Sequence, residues 1–167
     1  MFKIGDLIIY SAHGICKIDD ISEKTVSGIT KKYYKLHPME NSQRVTISTP
    51  VNNDKVVMLG MLHKDQAMQL LENFNEPGLE WIDNPNARQA FFFDLLNTGD
   101  RREIAKVVNT LMRKKIEVKK LNKNLYERDH KVLNTAQAIL FKELAISLET
   151  TFEEINALAA KLINDNL

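Results

Sequence analysis

Trp81 and a block of basic residues are the parts of this chain whose chemistry is most specific. The single tryptophan lies in a turn-rich, acidic segment, residues 76–85, which ends in the pair Asn84-Pro85. A large flat ring in such a place either packs at a seam of the protein or contacts something outside it. Further along, residues 101–131 contain eleven Lys/Arg against four Asp/Glu, a net charge of +7. A block this basic favours a polyanionic partner, although a solvated helix face produces the same pattern.

Nucleic acid is the polyanion that suits this combination of residues. Lysine and arginine bind phosphates without reading base sequence. An aromatic side chain beside them can insert at a base step or stack on an unpaired base. The net charge of the whole chain, +1, hides this asymmetry because residues 64–100 carry a net charge of −5. From the residues alone, nucleic-acid binding and a purely structural role for Trp81 stay equally open.

The sequence contains no set of residues that predicts catalysis or metal binding. The histidines at positions 13, 37, 63 and 130 are dispersed, and none has metal-ligand spacing with another histidine or with Cys16. Cys16 is the only cysteine, so we expect a small buried hydrophobe and no intramolecular disulfide. There is also no Gly-rich phosphate loop and no Gly-x-Ser-x-Gly elbow. We therefore expect a protein that is not an enzyme and that binds no cofactor or metal.

The elements that must position these residues change character near residue 60. Residues 1–60 contain short β-branched and aromatic runs at intervals of 8–12 residues, which predicts a small antiparallel barrel or twisted sheet. From residue 63 onward the apolar residues recur with helical periodicity. The sequence therefore predicts an α+β chain of two domains, residues 1–60 and 61–167, with about five helices in the second.

Several residues predict where these helices begin and end. Asn84 and Pro85 form an N-cap and first-turn pair. Gly99 is placed as the residue that follows a helix, and Asp100 as the cap of the next one. Thr151 is the expected cap of a short final helix.

Two features of the sequence bear on where the protein is located. No stretch approaches the ~20 consecutive apolar residues that span a bilayer. The first residues also lack a charged leader followed by a long apolar run. We expect a cytoplasmic protein.

Four segments together resemble the CarD/CdnL family of bacterial transcription factors. They are the opening residues 2–10 with His13-Gly14, the surroundings of Trp81, residues 97–100 and residues 136–145. Each piece is weak alone, but the combination is specific and runs through essentially the whole chain in order. The N-terminal module of this family also occurs in transcription-repair coupling factors.

The resemblance implies a fold and a function. The fold is a Tudor-like small antiparallel β-barrel that binds RNA polymerase, residues 1–60, followed by an all-helical domain that contacts DNA, residues 61–167. The implied function is to bind the polymerase β subunit and to contact promoter DNA at the upstream edge of the transcription bubble. There the family tryptophan wedges into the minor groove and stabilises the open complex without reading a base sequence. We expect a monomer that does not bind membranes.

The resemblance also implies a polymerase-binding surface in the first domain. Its first basic position falls on Lys24, and its second falls on Ser48, where some members have arginine. Arg44 is the candidate substitute from the same hairpin, and Ile47 and Pro50 flank Ser48.

The implied DNA-binding surface centres on Trp81 as the wedge. The basic cluster that follows the tryptophan in many members is thin here, so contact with DNA is expected to rely on more distant residues. The expected DNA-binding residues are Trp81, Arg88, Lys114, Lys115, His130 and Lys131.

A second interpretation keeps the chain as a polymerase- or protein-binding module. In that case Trp81 is a staple between the two domains, and DNA is not contacted.

Overall fold

The computed structural model describes residues 1–10, 13–40 and 45–167, and it divides the chain into two compact units. The first, Met1–Met61, contains the strands and is called the β unit. The second, Leu62–Leu167, contains the helices and is called the helical unit. Each unit is built around its own hydrophobic core.

The described residues of the β unit form one five-stranded antiparallel sheet. Its strands are β1 (Leu7–Tyr10), β2 (Gly14–Val26), β3 (Ile29–Pro38), β4 (Ile47–Pro50) and β5 (Met58–Gly60). Their order in the sheet is β4-β3-β2-β1-β5. A closed barrel requires the two outer strands to pair, and within the described ranges β4 and β5 do not. The predicted α+β class is confirmed, whereas the predicted barrel is an open sheet.

The long hairpin of β2 and β3 forms the frame of this sheet. At its tip, Ser27 and Gly28 both have positive φ angles, 54° and 77°. Two such residues in succession give a turn whose twist matches that of the flanking strands. Strand alternation then sends one set of side chains to the core and the other to the opposite face. The buried core residues of the β unit are Ile8, Tyr10, Cys16, Ile18, Tyr34 and Leu36.

The helical unit contains five α-helices, in agreement with the number predicted. They are α1 (Lys64–Glu72), α2 (Pro85–Asn97), α3 (Arg101–Lys120), α4 (Glu127–Ser147) and α5 (Phe152–Asn164). A short 3₁₀ turn, Asn73–Asn75, follows α1. None of the helices in the described part of the chain is long and apolar enough to cross a membrane.

The predicted helix ends are confirmed by the capping contacts. The Asn84 side chain accepts hydrogen bonds from the backbone amides of residues 86 and 87 at the start of α2. Asp100 and Thr151 cap α3 and α5 in the same way. Gly99 follows α2 with a φ of 69°, which lets the chain reverse directly into the next cap.

The core of the helical unit is formed where α3 and α4 pack together with the shorter helices. Phe74, Phe92 and Phe141 are its largest buried aromatic side chains. The centre of α3 is buried over residues 107–112, which include the polar pair Asn109 and Thr110. A buried polar pair within an apolar stripe needs hydrogen-bond partners, and these partners lie in the segment that leads to Trp81.

Candidate functional site

Trp81 lies in the segment between the 3₁₀ turn and α2, and its ring is half-buried against the core of the helical unit. Two cationic side chains lie over the ring. The guanidinium carbon of Arg88 is 4.3 Å from the ring centroid, and Nζ of Lys114 is 4.9 Å from it. Contacts of this kind contribute about 0.5–1 kcal/mol when exposed and about 2 kcal/mol when desolvated. The ring is therefore held from α2 and α3 at once.

Arg88 is buried, with 4% of its surface exposed, and its guanidinium is used within the fold. Nε donates to Oδ1 of Asp129 at 3.0 Å, and Nη2 donates to Oδ2 at 2.7 Å. Nη1 donates to the carbonyl oxygens of Ile82 and Asp83, at 2.7 and 3.2 Å. The expected contact of Arg88 with DNA stays a prediction, and in this fold its Nε, Nη1 and Nη2 donors already have partners. A buried guanidinium with these partners reaches no phosphate unless the ion pair opens.

The segment before Trp81 lies directly on α3 because residue 78 has no side chain. A Cβ at Gly78 would lie 2.9 Å from Oγ1 of Thr110 and 3.0 Å from its Cα. The next amide, of Leu79, donates to Oγ1 of Thr110 at 2.8 Å. The same hydroxyl donates to the carbonyl of Lys106 at 2.7 Å, so both of its roles are satisfied. The close approach fixes the backbone two residues before the tryptophan.

Asn109 and Arg113 hold the same segment at an earlier point. Nδ2 of Asn109 donates to the carbonyl oxygens of Asn73 and Glu76, at 3.1 and 2.8 Å. Arg113 donates from Nε to Oδ1 of Asn109 at 2.9 Å and from Nη2 to the carbonyl of Phe74 at 3.0 Å. Burial lowers the pKa of Arg113 from its ordinary value. The guanidinium stays charged, because arginine is not deprotonated in proteins.

The sheet of the β unit brings three of the five predicted polymerase-binding residues together. Nζ of Lys24 on β2 donates to Oγ of Ser48 on β4 at 2.8 Å and lies 5.2 Å from the ring centroid of Tyr33. Pro50 is paired with Tyr33 in the register of β3 and β4. We call Lys24, Tyr33, Ser48 and Pro50 the sheet patch. Tyr33 was not predicted, since no sequence pattern indicates which strand lies between β2 and β4.

The other two predicted residues of this surface are placed differently. Ile47 is paired with Leu36, and its side chain packs against the core of the β unit. Strand alternation therefore separates it from Ser48 and Pro50. Arg44 lies outside the described residues, so its predicted contact stays a prediction.

Histidine, cysteine and acidic side chains are the ones that could hold a metal ion in this chain. Within it, no group of three His, Cys, Asp or Glu side chains could hold a metal ion. Cys16 is buried and free, and burial raises the pKa of its thiol. The ring of His37 lies 2.7 Å from Asp19, and both side chains of this pair are exposed.

Two family models cover most of the chain. Residues 2–60 match the CarD-like/TRCF RID domain, and residues 69–160 match the CarD C-terminal domain. The chain belongs to the CarD family. It is also similar to a protein of Bacillus subtilis (strain 168) named "Putative transcription factor YdeB", with 29% identity over 160 residues. That similarity covers 94% of this chain and 99% of the relative. The family is a class of transcription factors, so the function class of the chain is transcription regulation.

The predicted DNA-binding residues of this CarD-family chain fall into two groups. Lys114 joins Arg88 at the Trp81 ring, and it also pairs with Glu117 at 3.1 Å. His130 and Lys131 follow Asp129 in the first turns of α4, which the Arg88–Asp129 pair ties to α2. Lys115 is exposed on α3. In the part of the chain described, these last three residues make no cation–ring contact with Trp81.

In the basic block the exposed cations are mostly lysines, although Arg102 and Arg128 are exposed as well. Two of its arginines are turned to partners in the fold, Arg113 as described and Arg101 through Glu143, 2.7 Å away. Most of its lysines are turned to solvent instead. The exposed lysines of the block are Lys106, Lys115, Lys119, Lys120, Lys123 and Lys131. The charge that a polyanion would meet is therefore largely carried by amines.

Proposed function

We propose that this chain regulates transcription initiation by binding the RNA polymerase β subunit and contacting promoter DNA at the upstream edge of the bubble. In this proposal Trp81 inserts at the minor groove and slows collapse of the open complex. Membership of the CarD family supports a role in transcription. The observation that carries the proposal is the Trp81 ring, which is half-buried on the helical unit and flanked by Lys114.

The arrangement around Trp81 suits a wedge for two physical reasons. A ring that is fixed before binding loses little conformational entropy when it enters a base step. A lysine beside it can neutralise a phosphate of the strand that the ring separates. The exposed lysines of α3 would add contacts that do not depend on base sequence. Because few phosphates are contacted, the affinity for DNA without polymerase should be weak and sensitive to salt.

The lifetime of the open complex on a promoter tests the wedge. Trp81→Ala is expected to shorten the lifetime, because the competing collapse of the bubble is no longer opposed. Phe93→Ala is a suitable control, since it removes an exposed aromatic side chain, 43% accessible, from α2 of the same unit. An unchanged lifetime with folded Trp81→Ala would exclude the wedge.

The sheet patch is proposed as the contact with the polymerase β subunit. Its exposed lysine and the tyrosine beneath it combine a charge with an apolar surface, which suits a protein partner.

The interpretation of Trp81 as a staple makes a different prediction from the wedge. It allows polymerase binding but predicts that Trp81→Ala leaves the open-complex lifetime unchanged.

A further inference from the structure

The geometry around Trp81 points to a positioning residue on a different helix. We infer that Asp129 of α4 sets the position of the Trp81 ring, acting through the guanidinium of Arg88. This inference rests on the proposed function in one respect only, namely that the position of the ring matters for the open complex. The chain of contacts itself runs through three side chains and is independent of DNA.

The first step is the fixing of the Arg88 guanidinium. The guanidinium donates two hydrogen bonds to the Asp129 carboxylate and two to the backbone carbonyl oxygens of residues 82 and 83. A guanidinium is planar, so acceptors on two sides determine the orientation of its plane. Asp129 is 2% exposed, so water does not compete with its carboxylate for the guanidinium. The orientation of the Arg88 guanidinium plane therefore depends on Asp129 of α4.

The second step transmits this orientation to the tryptophan. The guanidinium carbon lies 4.3 Å from the centroid of the Trp81 ring, and the group lies over the ring. The carbonyl of residue 82, which accepts from Nη1 at 2.7 Å, belongs to the residue directly after the tryptophan. Arg88 thus holds both the ring and the backbone that follows it. Loss of Asp129 would release both contacts through Arg88, to which its carboxylate is bonded.

A buried ion pair can also act as a simple cross-link between helices, and the same unit contains one for comparison. Arg101 of α3 donates from Nε to Oε2 of Glu143 on α4 at 2.8 Å, and Glu143 is 1% exposed. Oε1 of this carboxylate also accepts from the amide of Leu62 at 2.9 Å. Arg101 lies thirteen residues before Lys114, the residue of α3 whose amine lies over the Trp81 ring. Glu143→Gln is therefore a matched control for Asp129→Asn.

The first measurement is quenching of Trp81 fluorescence by acrylamide, which needs neither DNA nor polymerase. Asp129→Asn is expected to raise the quenching constant about twofold or more, because the freed ring becomes more accessible. Glu143→Gln should leave it within about 20% of the original value. Arg88→Lys keeps the positive charge but loses the planar set of guanidinium donors, so it should behave like Asp129→Asn. Equal quenching in Asp129→Asn, Arg88→Lys and the unaltered protein would overturn the inference.

The second measurement is a double-mutant cycle on the lifetime of the open complex. Asp129→Asn should shorten the lifetime when Trp81 is present and have no further effect in the Trp81→Ala background. Equal shortening in both backgrounds would show that Asp129 acts independently of Trp81, against the inference. If Trp81→Ala itself leaves the lifetime unchanged, the proposed function fails, while the quenching result still decides whether Asp129 positions the ring.

Discussion

The two candidate surfaces differ in how their side chains are held. In the sheet patch, Lys24 and Ser48 meet through one exposed hydrogen bond on the face of a sheet. Around Trp81, by contrast, the ring depends on buried polar side chains of α2, α3 and α4. The core of the β unit does not depend on the side chains of the sheet patch. The polar side chains that hold Trp81, by contrast, are buried within the helical unit itself.

This difference teaches where binding and stability can be separated. A substitution in the sheet patch removes a contact with solvent or a partner and leaves the core of the β unit intact. A substitution in the network under Trp81 leaves a buried polar group unpaired, which costs free energy of unfolding as well as function. Effects on binding and on folding should therefore separate in the β unit and coincide in the helical unit.

The largest effect should follow from Asp129→Ala. It leaves the buried Arg88 charge without its carboxylate, and breaking a buried pair in this way typically costs about 3–5 kcal/mol. We expect the free energy of unfolding of the helical unit to fall by that amount, measured by urea denaturation with Trp81 fluorescence. Glu127→Ala is the control, because its pair with Lys131 on the same helix is exposed. A loss as small as that of the control would contradict the comparison.

Gly78→Ala should have the next largest effect. The new Cβ would meet Thr110 at 2.9 Å from the side chain and 3.0 Å from the backbone, so the segment must move. Overpacking of this kind costs about 1–3 kcal/mol. Gly60→Ala is the matched change in the β unit, where the nearest described atom to the new Cβ would be in the ring of Phe2, at 3.4 Å. Thermal unfolding of both variants measures the difference, and equal stability would show that the segment yields without cost.

Lys24→Glu should weaken polymerase binding without changing stability. Reversing one exposed charge at a binding surface is expected to reduce affinity roughly tenfold, or about 1.4 kcal/mol. The measurement is binding of the isolated polymerase β lobe, with the unfolding midpoint as a check of the fold. Lys55→Glu changes the net charge equally but lies in a turn outside the sheet patch. Equal loss of affinity in both variants would mean that only the overall charge matters.

The smallest effect concerns Cys16. Burial raises the pKa of its thiol, so the folded β unit keeps the proton to a higher pH than the unfolded chain does. The stabilisation is complete below the ordinary thiol pKa and is lost as the pH rises through the raised value, by at most about 1.4 kcal/mol per pH unit. The urea midpoint of the β unit should fall less steeply with alkaline pH in Cys16→Val. Parallel pH profiles would show that the thiol does not contribute.

Local signals in the sequence predict the helices of this chain better than the contacts between them. The caps at Asn84, Asp100 and Thr151 depend on residues no more than three positions away, so the sequence is sufficient to place them. The open sheet is different, because whether β4 and β5 pair depends on the twist and curvature of the strands between them. No short pattern in residues 1–60 contains that information.

The role of Arg88 shows why the candidate site was only partly predictable. Its acceptor Asp129 lies 41 positions away on another helix, so the charge pattern of α2 alone suggests an exposed cation. The buried pair of Asn109 and Thr110 did leave a signal, since both interrupt the apolar stripe of α3. Such an interruption indicates a buried polar anchor, but not which segment it holds.

The predominance of lysine among the exposed cations of the basic block has a consequence for covalent regulation. Acetylation removes the charge of a lysine amine, and arginine offers no such amine. Modification of the exposed lysines of α3 would therefore lower the positive charge of the surface in steps of one. The guanidinium groups of Arg88, Arg101 and Arg113, which hold the helices together, would keep their charge throughout. The residue types thus allow the charge of the surface to be adjusted while the scaffold beneath it stays unmodified.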